Sequence, residues 1–221
     1  MSRITAYWFD LRTLPGDALL AYRHEGWAGA WKAVASRSLH RVFRSGRLIV
    51  FAHPVEQMVE VAPPAGVRIT QPTGQEWARL ASLVGRRELQ RFLAMSARGR
   101  RCLVAWRGDT PVGYAWVAGD LGPDVALSPL PLAFPSSAAY LLNLYVLPSE
   151  RSSGIGSALA SGRLRLAGEI GFREGWRMVA PTNAPSLRTV QKTAAATRVV
   201  GEIRFLQLLG RTYARFTPSG R

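Results

Sequence analysis

The stretch of this 221-residue chain richest in chemistry runs Leu144-Tyr145-Val146-Leu147-Pro148-Ser149-Glu150-Arg151-Ser152-Ser153-Gly154-Ile155-Gly156-Ser157-Ala158-Leu159. An apolar run of strand type ends at Pro148, the chain turns through small residues, and an amphipathic helix opens at Ile155. Such a turn leaves unpaired N–H groups at the positive end of a helix dipole, and its glycines let backbone approach a ligand closely. That is the build of an anion trap. The stretch has no Gly-Lys-Ser/Thr ending for a nucleoside triphosphate. It also lacks a third glycine with an acidic residue about 20 positions on, as a dinucleotide site needs. Two readings remain, a phosphate-binding turn of another kind and a plain tight turn, since small residues serve both.

Other reactive residue types offer less. His24, His40 and His53 show no metal-ligand spacing, and no metal is expected. There is no Gly-x-Ser-x-Gly elbow for a serine hydrolase. The single cysteine, Cys102, lies in the apolar run 102–106, where packing is its expected role. Asn183 precedes a helix and suits either ligand binding or an ordinary N-cap.

Positioning these residues requires a scaffold, and its elements follow from periodicity. Strands are expected at 4–10, 48–52, 67–71, 102–106, 112–118, 138–147 and 178–180, with a closing hairpin of 199–209 and 213–217 turned at Gly210. Helices are expected from near Ala18, at 38–44, after Thr73 with Glu76 three residues on, around 89–95, over 155–170 and over 185–193. The stretch 122–135 carries four prolines and reads as a long loop suited to acceptor binding. Residues 61–66, with Pro63, Pro64 and Gly66, read as a linker between an N-terminal appendage, 1–60, and a domain over 67–221. The order of elements implies an α+β domain with a largely antiparallel sheet and one crossover.

Val146-Leu147-Pro148 followed by Arg151-x-x-Gly154-x-Gly156 and Leu159 resembles the strand, turn and helix signature of the GNAT N-acyltransferase superfamily. Asn183-x-Pro185-Ser186-Leu187 is similar to a second motif of that family, and the resemblance covers roughly residues 67–217. It implies acyl-CoA as co-substrate, most plainly acetyl-CoA, with transfer to a primary amine of unknown identity. Backbone amides of Arg151, Ser152, Ser153, Gly154, Ile155, Gly156 and Ser157 would hold the pyrophosphate. The backbone of Leu144 and Val146 would pair with the pantetheine arm, and Asn183 would bond to the same arm.

The acid that the family often carries on this strand is absent, because Leu142 and Asn143 stand there. Where a tyrosine often follows the asparagine, this chain has Val190. Tyr145, with Tyr140 as a neighbour, is the candidate to protonate the departing sulfur or orient substrate. Asn143 is the polar group beside it. Glu88 and Asp120 are possible remote proton acceptors. A noncatalytic acyl-CoA-binding or interaction module is the alternative reading.

The formal net charge is +15, yet of the 29 basic residues only Lys32 and Lys192 are lysines, and the arginines are scattered. No recognition-helix, RNP-like or zinc-finger pattern accompanies the charge, so a nucleic-acid partner is not expected. Arg37, His40, Arg41, Arg44 and Arg47 form the densest basic cluster, read as a solvated helix face or a peripheral contact to an acidic membrane. One cysteine, no signal-peptide pattern and no apolar run near the ~18 residues of a spanning helix suggest a cytoplasmic setting.

Overall fold

A computed structural model describes residues 43–120, 132–193, 195–208 and 211–220, together with 19, 22–29 and 31. Within them, eight strands form one sheet: β1 (Phe43–Pro54), β2 (Val67–Thr70), β3 (Arg101–Arg107), β4 (Thr110–Ala118), β5 (Ala138–Val146), β6 (Glu174–Val179), β7 (Arg198–Leu208) and β8 (Arg211–Pro218). Their spatial order is β2-β3-β4-β5-β6-β1-β7-β8, and every pairing is antiparallel except β5 with β6. The expected α+β class with a largely antiparallel sheet is therefore what forms.

Besides the helical residues 22–29, four helices whose bounds are described accompany the sheet: α1 (Glu76–Arg79), α2 (Ala81–Ala97), α3 (Ile155–Glu169) and α4 (Ala184–Thr193). Glu76 reaches back to accept from the Thr73 N–H at 3.0 Å and from Arg68 at 2.8 Å, which ties the entry of α1 to strand β2. Gly85, at φ 80°, interrupts α2 and separates the two helical pieces that periodicity suggested. Helix α3 covers one face of the sheet through Ile155, Leu159 and Leu164 packed on Ala115, Leu141 and Ala139. The opposite face is covered by α1 and α2, where Phe92 meets Trp116 edge to face at 5.0 Å in a layer with Leu80 and Trp106.

The sheet corrects the expected domain boundary. Strand β1 belongs to residues 1–60, yet it lies between β6 and β7, with Ile49 opposite Val179 on one side and Glu202 on the other. Val50 and Ala52 are fully buried. The proline-rich segment 61–66 is thus a connection from the sixth strand of the sheet to its edge strand β2, not a seam between domains.

The helix expected over 38–44 is corrected where it is described: Phe43 and Arg44 already pair with Leu208 and Gln207 in β1. Cross-strand pairing overrides the local glycine signal, because Gly46 sits under the Phe205 ring, where a Cβ would come within 2.7 Å of it. Two members of the basic cluster are accordingly strand side chains: Arg47 pairs with Glu202 at 2.7 Å, and Arg44 lies 5.4 Å from the Phe205 centroid. Arg37, His40 and Arg41, the strand at 4–10, most of the loop at 122–135 and Gly210 lie outside the described residues. Strand β6 starts earlier than expected because Glu174 to Trp176 pair on both sides, with β5 and with β1.

Beneath α3, the sheet buries three basic side chains: His53 on β1, Arg177 on β6 and Arg163 on the helix, each 4% exposed or less. The Arg177 Nε–H donates to His53 Nε2 at 2.8 Å, so the ring carries its proton on Nδ1 and directs it to Thr197 Oγ1 at 2.9 Å. Burial first, then the charges of Arg177 and Arg163, hold the His53 pKa down at about 3.

Two measurements follow. A chain beginning at residue 61 loses a strand bonded on both sides and is expected to show no cooperative urea transition. For His53, stability is complete above its unfolded value of 6.5 and falls as pH drops toward about 3, since the unfolded ring takes up the proton first. Its share of the slope approaches about 1.4 kcal/mol per pH unit. Unfolding free energies at several pH values should show His53→Gln with a shallower acid limb than the wild type.

Candidate functional site

Strands β5 and β6 share only three residue pairs, from Ala138 with Glu174 to Tyr140 with Trp176. Beyond them β5 runs on to Val146 and β6 to Val179, so the two diverge and β5 keeps β4 as its one strand partner. A wedge opens between backbones that elsewhere would bond to each other. Opposite, β4 takes two steps from Tyr114 to Trp116 while β5 takes three from Leu142 to Tyr145. The extra residue is a β-bulge at Asn143, whose φ of 47° is in the left-handed region that asparagine tolerates. The bulge reverses the alternation of the strand. Tyr140, Leu142 and Tyr145 therefore share the α2 face, while Leu141, Leu144 and Val146 share the α3 face.

At the mouth of the wedge the chain makes one short 3-10 turn, Pro148–Glu150, and then enters α3 through Gly154 at φ 94°. The first α-type bond runs from the Ala158 N–H to the Gly154 carbonyl at 3.0 Å. Among the described residues, no hydrogen bond takes up the N–H groups of Ser152, Ser153, Gly154, Ile155, Gly156 or Ser157. A Cβ on Gly154 would meet nothing within 4 Å, and one on Gly156 would approach only Val146. Ser153 Oγ donates to the Glu150 carbonyl at 2.6 Å, which braces the turn from within. The carboxylate of Glu150 is gripped by Arg107 through two bonds of 3.0 and 2.8 Å, and this pairing holds its pKa below the usual range. The turn thus offers a run of unbonded donors, exposed at Ser152, Ser153 and Gly154, beside an acid already neutralised, and an anion of diphosphate size fits its chemistry.

The sequence-selected side chains are partly brought together. Arg151 Nε donates to the Val146 carbonyl at 3.3 Å, linking the turn to the strand. Tyr145 is half-buried and stacked on Tyr114 at 5.6 Å between centroids. Asn143 is exposed on the bulge. Asn183 lies at the neighbouring strand-to-helix corner, where its Oδ1 accepts from the Ser186 N–H at 3.2 Å, so its carbonyl oxygen caps α4. Glu88 is engaged by Arg91 at 3.0 Å and Asp120 by the buried Arg100 at 3.3 Å. Burial raises the Cys102 thiol well above its usual pKa, which suits a packed strand residue.

One residue was not legible beforehand. Residues 22–29 are helical, and the segment leans on the site: His24 Nε2 lies 3.4 Å from the Ser82 carbonyl, and Glu25 lies 3.5 Å from Arg151. The Glu25 carboxylate also bears electrostatically on the Tyr145 hydroxyl. Burial, then the Glu25 charge, raises the Tyr145 pKa, so the phenol keeps its proton. A carboxylate about 120 residues away in sequence thus stands beside β5, which carries none at Leu142 or Asn143. A single glutamate just ahead of Gly26 and Trp27 carries no local signal of this kind. Among the described residues, no group of three or more His, Cys, Asp or Glu could hold a metal.

Comparison with known proteins agrees with this geometry. Residues 69–194, more than half of the chain, match the model of the acetyltransferase (GNAT) family. No curated protein sequence matches significantly. Similar solved structures include a Drosophila protein, 16% identical with a TM-score of 0.55, covering 82% of this chain and 58% of its own. A GCN5-related N-acetyltransferase from Sphaerobacter thermophilus is 17% identical at a TM-score of 0.52, covering 86% of this chain and 58% of its own. A glucosamine N-acetyltransferase region of a fungal multi-domain β-N-acetylglucosaminidase is 12% identical at 0.54, covering 79% and 22%. This chain therefore spans well under two thirds of each of these three, and at such identities they share its fold. With its wedge, its donor-lined turn and the matching family model, the chain belongs to the GNAT acetyltransferase family.

Proposed function

We propose that the protein is an acyl-CoA-dependent N-acyltransferase that moves a short acyl group, with acetyl the reference case, to a primary amine. The observation that carries this reading is the row of free N–H groups from Ser152 to Ser157, opening directly onto the wedge between β5 and β6. The turn would hold the pyrophosphate, and the unpaired edge of Leu144 and Val146 the pantetheine arm. Asn183 keeps its amide nitrogen for the same arm while its oxygen caps α4.

Bound acyl-CoA would supply a thioester carbonyl, whose C–S bond is exchanged for a C–N bond to the amine. The protein's own part is placement and proton handling. Glu25 is suited to take the proton that the acceptor ammonium must lose. Tyr145 is suited to give a proton to the departing sulfur, because burial and the nearby Glu25 charge raise its pKa and keep it protonated. The proton taken at Glu25 then restores Tyr145, so the net transfer runs from nitrogen to sulfur. The bulge at Asn143 frees strand backbone beside this pair for the carbonyl oxygen.

A second reading, a noncatalytic acyl-CoA-binding module, draws on Val190, which is buried in α4 where a hydroxyl donor would be expected. Calorimetric titration with acetyl-CoA, followed by free-thiol release across a panel of amines, separates the two: binding with turnover supports the enzyme, and binding alone supports the module. Gly154→Val should weaken acetyl-CoA binding by tenfold or more, since it forces a branched residue to positive φ and places methyls in the open space that faces the ligand. Normal affinity in that variant would remove the turn from the site. Glu25→Gln should leave affinity intact while lowering turnover by roughly 100-fold, the lower range for general-base loss. An unchanged rate would exclude Glu25 as the base.

A further inference from the structure

The wedge does not end in apolar side chains. Arg163 comes off α3 with its guanidinium at the wedge, where Nη1 approaches the Leu142 carbonyl at 3.4 Å, two residues past the last β5–β6 pair. The side chain is 4% exposed, and its Nε is buried without a hydrogen-bond partner. Among the described residues no carboxylate bears on Arg163; its titratable neighbours are the Tyr140 phenol, the neutral His53 ring and, as a second cation, Arg177 on the strand below. A buried guanidinium with one long neutral contact and a second cation for company is costly. A site that must welcome only neutral or alkyl groups gains nothing from it.

We propose that Arg163 forms a carboxylate-binding subsite at the closed end of the wedge, with Arg177 behind it as a positioning charge. This rests on the acyl-CoA reading above and sharpens it. A carboxylate accepts charge-assisted bonds from the Arg163 Nε and Nη edge in the bidentate form that guanidinium favours, and in doing so satisfies the orphaned Nε. The Arg177 side chain is held by its bond to His53, which in turn is fixed by Thr197, so the second positive charge does not swing away. The carboxylate belongs either to the far end of the transferred acyl group or to the acceptor amine. Long alkyl acyl chains are disfavoured in both cases, because they would have to lie against an unneutralised guanidinium.

The test compares ligands that differ only in this group. Calorimetry with acetyl-, butyryl-, malonyl- and succinyl-CoA reads the donor arm. Thiol release from the best-bound donor with glycine against glycinamide, backed by calorimetric binding of the two amines to the protein saturated with CoA, reads the acceptor arm. A carboxylate-bearing ligand favoured by about tenfold or more in one arm, with the preference lost in Arg163→Met and reduced but not abolished in Arg163→Lys, is the expected result. The arm in which it appears names the source. Equal binding of charged and neutral members in both arms of the wild type overturns the subsite, whatever the variants do. If no acyl-CoA binds at all, the acyltransferase reading itself fails and the subsite falls with it, an outcome distinct from indifference to charge.

Discussion

Two parallel strands that bond for three residues and then part are the constraint on which the rest of the molecule depends. Once β5 and β6 diverge after Tyr140 and Trp176, each has a stretch of main chain that the sheet no longer serves. Buried backbone without partners is not tolerated, so something must occupy the gap. In this protein the answer comes in two parts. Arg163 reaches the Leu142 carbonyl from α3, and the outer part of the wedge is left facing a helix entrance lined with donors. The placement of α3 follows from the same divergence. Its apolar side fills the angle between the strands through Leu164, against which Gly175 approaches so closely that a Cβ would lie 2.6 Å away.

Charge is distributed in two regimes. The large positive excess is spread over surface arginines, several of them paired locally, as Arg198 with Glu174 and Arg165 with Glu169. Exposed pairs of this kind contribute little to stability and are screened by salt. The buried set beneath α3 is different in kind, because desolvation holds Arg163, Arg177 and His53 below their ordinary pKa values and water is not available to shield one from another. Composition shows a positive excess scattered along the chain and gives no site for it. The physically distinctive cations are two that composition cannot single out.

Much of the fold was open to reading from sequence, since strong local patterns survive into the structure: the β3–β4 hairpin, the broken helix over 81–97, the helix opening at Ile155 and the turn before it. What escaped reading depends on contacts between distant residues. The apolar run 48–52 was recognised as a strand, but nothing local says that it inserts between β6 and β7. The reversal of facing at Asn143 escaped for a similar reason: a bulge is defined by its partner strand, and no count of alternating residues within β5 reveals it. Glu25 was invisible because its meaning comes from Arg151 and Tyr145. Asn183 was legible in both its possible roles, and the bond to Ser186 establishes the capping one while leaving its nitrogen uncommitted.

Insertion of β1 between strands that follow it by more than 120 residues has a bearing on how the protein is made. On the ribosome, Ile49 to Ala52 emerges long before either of its neighbours exists. The contacts that complete the sheet are among the most non-local a chain of this size can form, and closure over such separations slows folding. Until β7 arrives, the apolar stretch of β1 offers an open edge to any other nascent strand. Synthesis should therefore depend on a holdase or a slow elongation rate more than the modest length of the chain would suggest, and the final hairpin acts as the clasp that ends that exposure.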